Sequence, residues 1–191
     1  VNNLMNTKTK KLSTVSMVLC GMFAALVAIG AFIQIPVPYM DYFTLQFFFV
    51  LLAGLILGAD KGAISVGCYV LLGLVGVPIF AAGGGIGYIF RPSFGYLVGF
   101  IVSAYVTGKV CEKLKASYKN YLLACLAGFV VTYAIGIVYK FIILNFYAHT
   151  PATLGVIFLS CFPLDMPGDF VLCLLAAGVG LRMRKSGFYL S

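Results

Sequence analysis

Long apolar runs alternate with short breaks rich in polar residues, glycine or proline, and these breaks predict six helices. A polar stretch over residues 1–12, with Lys8, Lys10 and Lys11, precedes an apolar run from Ser13 to Ile35. That run is longer than the ~7–15 residue core of a secretory signal and has no polar cleavage region, so a retained first helix is expected. Pro36-Val-Pro-Tyr-Met-Asp-Tyr-Phe43 is incompatible with continuous helix and reads as a loop. Further helices are predicted near Thr44–Gly58, Ala63–Val77, Pro92–Leu114, Lys119–Tyr147 and Pro167–Arg184, with Ala59-Asp60-Lys61-Gly62 as a short turn. The second and third helices, at about fifteen residues, measure roughly 22 Å against a ~30 Å hydrocarbon core. They either extend into their loops or cover a site that dips into the bilayer. A long, partly apolar connection with His149, Pro151, Pro163 and Asp165 precedes the last helix.

Of 191 residues, 62% are hydrophobic and 9% charged, which places the chain among polytopic membrane proteins. The expected fold is an all-α bundle of six transmembrane helices over residues 13–191, following a cytoplasmic polar tail over 1–12. A net charge of +8 raises nucleic acid as a partner, but its placement follows topology instead. With six spans, one side carries the N-terminal lysines, Lys61, Lys109, Lys113, Lys115, Lys119, Arg182, Arg184 and Lys185, eleven of the thirteen basic residues. The other side carries Arg91 with Asp41, Asp165 and Asp169. This bias puts both termini in the cytoplasm. The three outer connections are rich in glycine, proline and aromatics, so a ligand site facing outside is expected. No repeat relates the two halves, so an inverted-repeat transporter is not indicated. The six cysteines lack CxxC spacing and lie mostly in apolar runs, which suits buried free thiols and no metal set.

The stretch GGGIGYIFRPSFGYLVGF over 83–100 carries the densest candidate chemistry. Gly83, Gly84 and Gly85 permit left-handed backbone, Tyr88 and Phe90 follow, and Arg91 precedes Pro92 and Ser93 at a predicted helix start. A cation beside unpaired helical N–H groups suits an anion; a plain turn between two membrane helices is the alternative. Asp169, in Pro167-Gly168-Asp169, is either a first-turn helix cap or an acceptor for ligand N–H groups. Lys140 lies inside the fifth helix, where a lysine costs about 2.5–3.5 kcal/mol unless it snorkels or finds a partner. Tyr133, Gly136 and Lys140 share one face by i, i+3, i+7 spacing, which can look into a cavity. His149, the single histidine, reads as a solvated loop residue. On the first helix, Gly21, Ala24, Ala25, Ala28 and Ala31 recur at three- and four-residue intervals and permit close helix approach, inside the bundle or to a partner. The glycine loop lacks the GK[ST] of an ATP-binding loop, and no hydrolytic triad or zinc motif is present. No cofactor is indicated, the chain does not read as an enzyme, and ATP hydrolysis would require another subunit.

The segments PVP…TLQ, LLAGLILG, YVLLGLVGVPIFA, GGG and PSFGYLVGF, with Pro167-Gly168-Asp169 and LLAAGVGLRMR, together resemble the BioY family over nearly the whole chain. The resemblance implies a multi-pass S component in a bacterial plasma membrane that captures extracellular biotin. It also implies a transmembrane coupling subunit, docked through the small residues of the first helix, and two cytoplasmic ATPases. Biotin's parts match the candidates in kind. Asp169 suits the ureido N–H groups, Tyr88, Phe90, Tyr96 and Tyr133 suit the apolar rings, and Arg91 or Lys140, with Arg91 favoured, suits the carboxylate. Many BioY members carry a lysine three residues after the aspartate of PGD, where this chain has Leu172. An S component for riboflavin or thiamine, an intramembrane enzyme and a non-transport assembly protein are the competing readings.

Overall fold

The apolar runs form helices whose ends are set by a few capping groups. A computed structural model describes residues 13–35, 43–148, 150, 152–161 and 165–187. The 1–12 tail, Asp41, His149, Pro151 and Pro163 lie outside the described residues. Helix α1 (Thr14–Phe32) starts at Ser13, whose hydroxyl accepts the Ser16 N–H. Strands β1 (Gln34–Ile35) and β2 (Phe43–Thr44) pair antiparallel, Gln34 opposite Thr44, and bring the chain directly into α2 (Gln46–Leu57). Helices α3 (Ala59–Val75), α4 (Phe94–Lys113), α5 (Tyr118–Ile142, continued by a π-turn over Ile143–Tyr147), α6 (Leu154–Cys161) and α7 (Asp165–Lys185) follow.

Among the described residues, four segments are long and apolar enough to cross a membrane: Thr14–Phe32, Phe94–Lys113, Tyr118–Tyr147 and Asp165–Lys185. Helix α2, with 12 residues, is about 18 Å long and buried over nearly its whole length, packed among α1, α3, α4 and α7. Helix α2 is thus central to the bundle, and α3 also packs against α1 and α4.

The most extensive helix pair is α4 with α5. Small residues recur every fourth position on α4 at Gly95, Gly99, Ser103 and Thr107, and on α5 at Gly128, Thr132 and Gly136. A Cβ on Gly99 would meet the Thr132 backbone at 3.1 Å, and one on Gly128 would strike the Ser103 and Thr107 hydroxyls. The two backbones thus approach closely, as small residues allow in membranes.

The expected turn over Ala59–Gly62 is instead the first turn of α3, and Gly58 alone separates α2 from α3. Gly58 takes φ 82°, which a residue with a Cβ rarely adopts. Glu112 of α4 accepts the Ala59 N–H at 2.8 Å, so the cap comes from a distant helix. At the same end, Arg184 donates to the Tyr121 hydroxyl at 3.1 Å and ties α7 to α5. The opposite end gathers the β1–β2 pair, the 76–93 loop and α6. Helix α6 is a short helix where a connection was expected.

Candidate functional site

The glycine loop folds back on the end of α3. Phe80 and Gly83 exchange backbone hydrogen bonds at 2.9 and 3.1 Å, and the Gly85 N–H donates to the Gly73 carbonyl at 2.7 Å. Gly83 and Gly85 take φ 107° and 102°, and a Cβ on Gly84 would strike the Val77 carbonyl. A 3-10 turn over Ile86–Phe90 then aims Tyr88 inward, buried against Phe80 with ring centroids 4.6 Å apart. Phe90 turns outward, half-exposed, and stacks on Tyr147 at 4.8 Å. Arg91 is exposed, with its guanidinium carbon 5.3 Å from the Tyr88 ring centroid. At the start of α4 the Phe94 and Tyr96 N–H groups already donate to the Arg91 and Ser93 carbonyls, so two donors expected for an anion are engaged.

A cavity opens at this end of the bundle between α2, α4, α5 and α7. Of the residues singled out from sequence, it brings together Tyr88, Ser93, Tyr96, Tyr133, Lys140 and Asp169. Arg91, Phe90, Gly83, Gly84 and Gly85 are not among its lining residues; the glycines set the path of the wall. Phe43, Thr44, Gln46, Phe47, Ala81, Ala82, Leu97, Phe100 and Asp165 complete the lining. On α4, Ser93, Tyr96, Leu97 and Phe100 follow the i, i+3, i+4, i+7 spacing of one face, a signal present in the sequence once Tyr96 is chosen.

The polar groups have fixed places on aromatic walls. Helix α7 begins at Asp165, with Pro167 in its first turn, where a missing N–H costs nothing. Asp169 is thus the fifth helical residue, past the cap position. The Tyr133 hydroxyl donates to its Oδ2 at 2.8 Å. Tyr133 is held edge-on to Tyr96, 5.8 Å away, and against Phe129 at 4.7 Å. Gly136 leaves the space that the Tyr96 ring occupies, and Tyr96 in turn contacts the Cys161 thiol of α6 at 3.1 Å. Phe47 and Phe100 stack at 5.8 Å on the apolar side. Lys140 stands on the same face of α5 as Tyr133, seven residues or about 10 Å further along the helix. It has no ion pair or hydrogen bond among the described residues. Asp165 lies one turn beyond Asp169 on the same wall.

A deep acceptor, aromatic sides and, two turns along α5 from Tyr133, a cation without a partner among the described residues are features suited to an amphipathic anion that also carries N–H donors. The model of the BioY family matches residues 5–187. This chain belongs to the BioY family. It is 40% identical over 177 residues to a probable biotin transporter BioY of Lysinibacillus sphaericus, covering 92% of this chain and 90% of the relative. It is 39% identical over 169 residues to the biotin transporter BioY of Thermotoga maritima, covering 86% and 93%. Among solved structures it is similar to the S-component for biotin from an ECF-type ABC transporter, with TM-score 0.81, 25% identity and 97% of each chain covered.

In this BioY chain the small residues of α1 divide between two environments. Ala24 and Ala31 are buried in the bundle, whereas Gly21 and Ala25 are exposed and Ala28 is half-buried. Gly21, Ala24, Ala25 and Ala28 line an apolar groove against Cys68, Tyr69 and Leu72 of α3 and Val77 and Ile79 beyond it. Five of the cysteines are buried free thiols, and the sixth, Cys68, is exposed on this groove. Leu172 is buried in the core of α7, pointing its bulk away from solvent.

Proposed function

We propose that this chain is the biotin-binding S component of an ATP-driven vitamin importer. It crosses a bacterial plasma membrane six times, with both termini cytoplasmic and the cavity facing outside. The observation that carries this reading is the cavity itself: Asp169 is held by Tyr133, and Lys140, without a partner among the described residues, stands about two turns further along the same helix as Tyr133, with aromatic walls around them. The ureido ring of biotin donates an N–H to Asp169, its fused rings lie among Tyr88, Tyr96 and Phe100, and its carboxylate meets Lys140. The rings and extended tail of biotin cover a comparable span. Lys140 is preferred to Arg91 because Lys140 lines the cavity, and a lysine within a membrane-spanning helix gains most from a counter-charge. Arg91 lies over the outer side of Tyr88 and serves the mouth of the site. Lys61, Lys109, Lys113, Lys115, Lys119, Arg182, Arg184 and Lys185, all in or beside helix ends on the same side of the bundle, support the orientation.

Transport requires a coupling subunit and two ATPases, and the exposed part of the α1–α3 groove is the proposed docking face. The test is uptake of labelled biotin by a biotin-auxotrophic cell lacking its own importer. Uptake that depends on both this chain and a co-expressed coupling module supports the reading. Uptake of riboflavin or thiamine in place of biotin, or growth without the coupling module, contradicts it.

A further inference from the structure

Among the described residues Gln46 is the one carboxamide on the cavity wall, at the first turn of α2, and it is almost fully buried at 3% exposure. Its Nε2 lies 2.5 Å from the Tyr69 hydroxyl, and that hydroxyl lies 3.1 Å from the Ile79 carbonyl. A tyrosine hydroxyl has one proton, and a backbone carbonyl can only accept. The Tyr69 proton therefore goes to Ile79, which obliges the Gln46 amide to donate its N–H to Tyr69. The amide cannot flip without breaking this chain. Its other atom, Oε1, accepts no hydrogen bond among the described residues and is not one of the fully enclosed unpartnered oxygens, which belong to Ser103, Thr107 and Thr132, so it is open to the cavity. Tyr69 itself is fully buried, edge-on to Phe80 at 5.5 Å, so its hydroxyl cannot swing away.

We propose that Gln46 is a specificity-determining residue of the ligand site, presenting Oε1 as a second acceptor, and that Tyr69 is the positioning residue that fixes this orientation. The inference rests on the biotin reading and deepens it. A ureido ring carries two N–H donors on opposite sides of its carbonyl. Asp169 on α7 and Gln46 on α2 stand on different elements around one cavity, so each takes one donor. A ligand with only one N–H leaves a buried acceptor without a partner and is rejected on that account. Two acceptors of different kind, one anionic and one neutral, also distinguish the two nitrogens.

The experiment uses the full chain purified in detergent and calorimetric titration with biotin and two analogues, each with one ureido N–H replaced by CH2. In the wild type one analogue loses its bond to Asp169 and the other its bond to Gln46. In Gln46→Met, biotin binds about three- to tenfold more weakly, the worth of one neutral hydrogen bond. The penalty for the second analogue then disappears, while the penalty for the first remains, as a double-mutant cycle requires of a direct contact. Tyr69→Phe keeps the ring and removes the lock, and it reduces the same penalty selectively; this variant carries the test if Gln46→Met fails to fold. A uniform weakening of all three ligands in both variants would mean a purely structural amide and overturns the inference. Unaltered binding in both overturns it too. Failure of the wild type to bind biotin overturns the functional reading beneath it, so the two failures are distinguishable.

Discussion

Replacing Lys140 by methionine keeps an unbranched apolar stem and removes the charge. The ammonium has no internal partner among the described residues, so its loss leaves no protein carboxylate stranded. The change therefore acts on the ligand. A charge-assisted hydrogen bond in a partly buried site contributes about 1.5–3 kcal/mol, which is roughly ten- to hundredfold in affinity. Biotin and biotin amide share every group except the charged tail, so their affinity ratio isolates this contact. In the wild type the acid binds more tightly by about that factor. In Lys140→Met the ratio falls close to one, chiefly through weaker binding of the acid. Arg91→Met is the control, because the guanidinium lies 5.3 Å from the centroid of Tyr88 and does not line the cavity. Its effect is expected on the association rate, with a salt dependence, and not on the ratio. Calorimetry on the three proteins decides the matter. A ratio abolished by Arg91→Met and preserved in Lys140→Met would refute the assignment.

Asp169→Asn replaces one acceptor by a donor and leaves Tyr133 a carbonyl or an amide to face; biotin affinity should fall about ten- to hundredfold in a folded protein, read by calorimetry. Ala25→Trp and Ala28→Trp place bulk in the open α1–α3 groove; co-purification with a coupling subunit should be lost while biotin binding persists. Glu112→Ala removes the cap on the Ala59 N–H and should destabilise the protein by about 1 kcal/mol, seen as a lower Tm, whereas Glu112→Gln keeps an acceptor and should be nearly neutral.

Long apolar runs made the helices legible because membrane helices bond their backbone within each segment. The break at Ala59–Gly62 was misleading for a physical reason. Asp60 and Lys61 resemble a solvated turn, but Gly58 makes the whole reversal, and the acid that caps α3 comes from Glu112, over fifty residues away in sequence. The short helix α6 was hidden among the prolines of its connection. At the cavity, Tyr88, Tyr96, Tyr133, Lys140 and Asp169 could be picked out as polar or aromatic residues in apolar context. Arg91 looked stronger than Lys140 because local sequence shows a cation at a helix start, but not that a 3-10 turn directs Tyr88 inward and leaves Arg91 outside. Gln46 ends the TLQ segment of the family resemblance, but nothing local singled it out for the cavity. Its role depends on Tyr69 of α3 and Ile79 of the loop, which only the packing brings together.

The central claim is that one cavity in this chain, without any other subunit, selects biotin. Titration of biotin, riboflavin and thiamine into the purified chain, alone in detergent or nanodiscs, tests it most directly. Saturable one-to-one binding of biotin that Asp169→Asn weakens at least tenfold, with neither other vitamin competing, is the predicted result. Absence of biotin binding by the folded chain, or displacement of biotin by riboflavin or thiamine at comparable concentration, would contradict it.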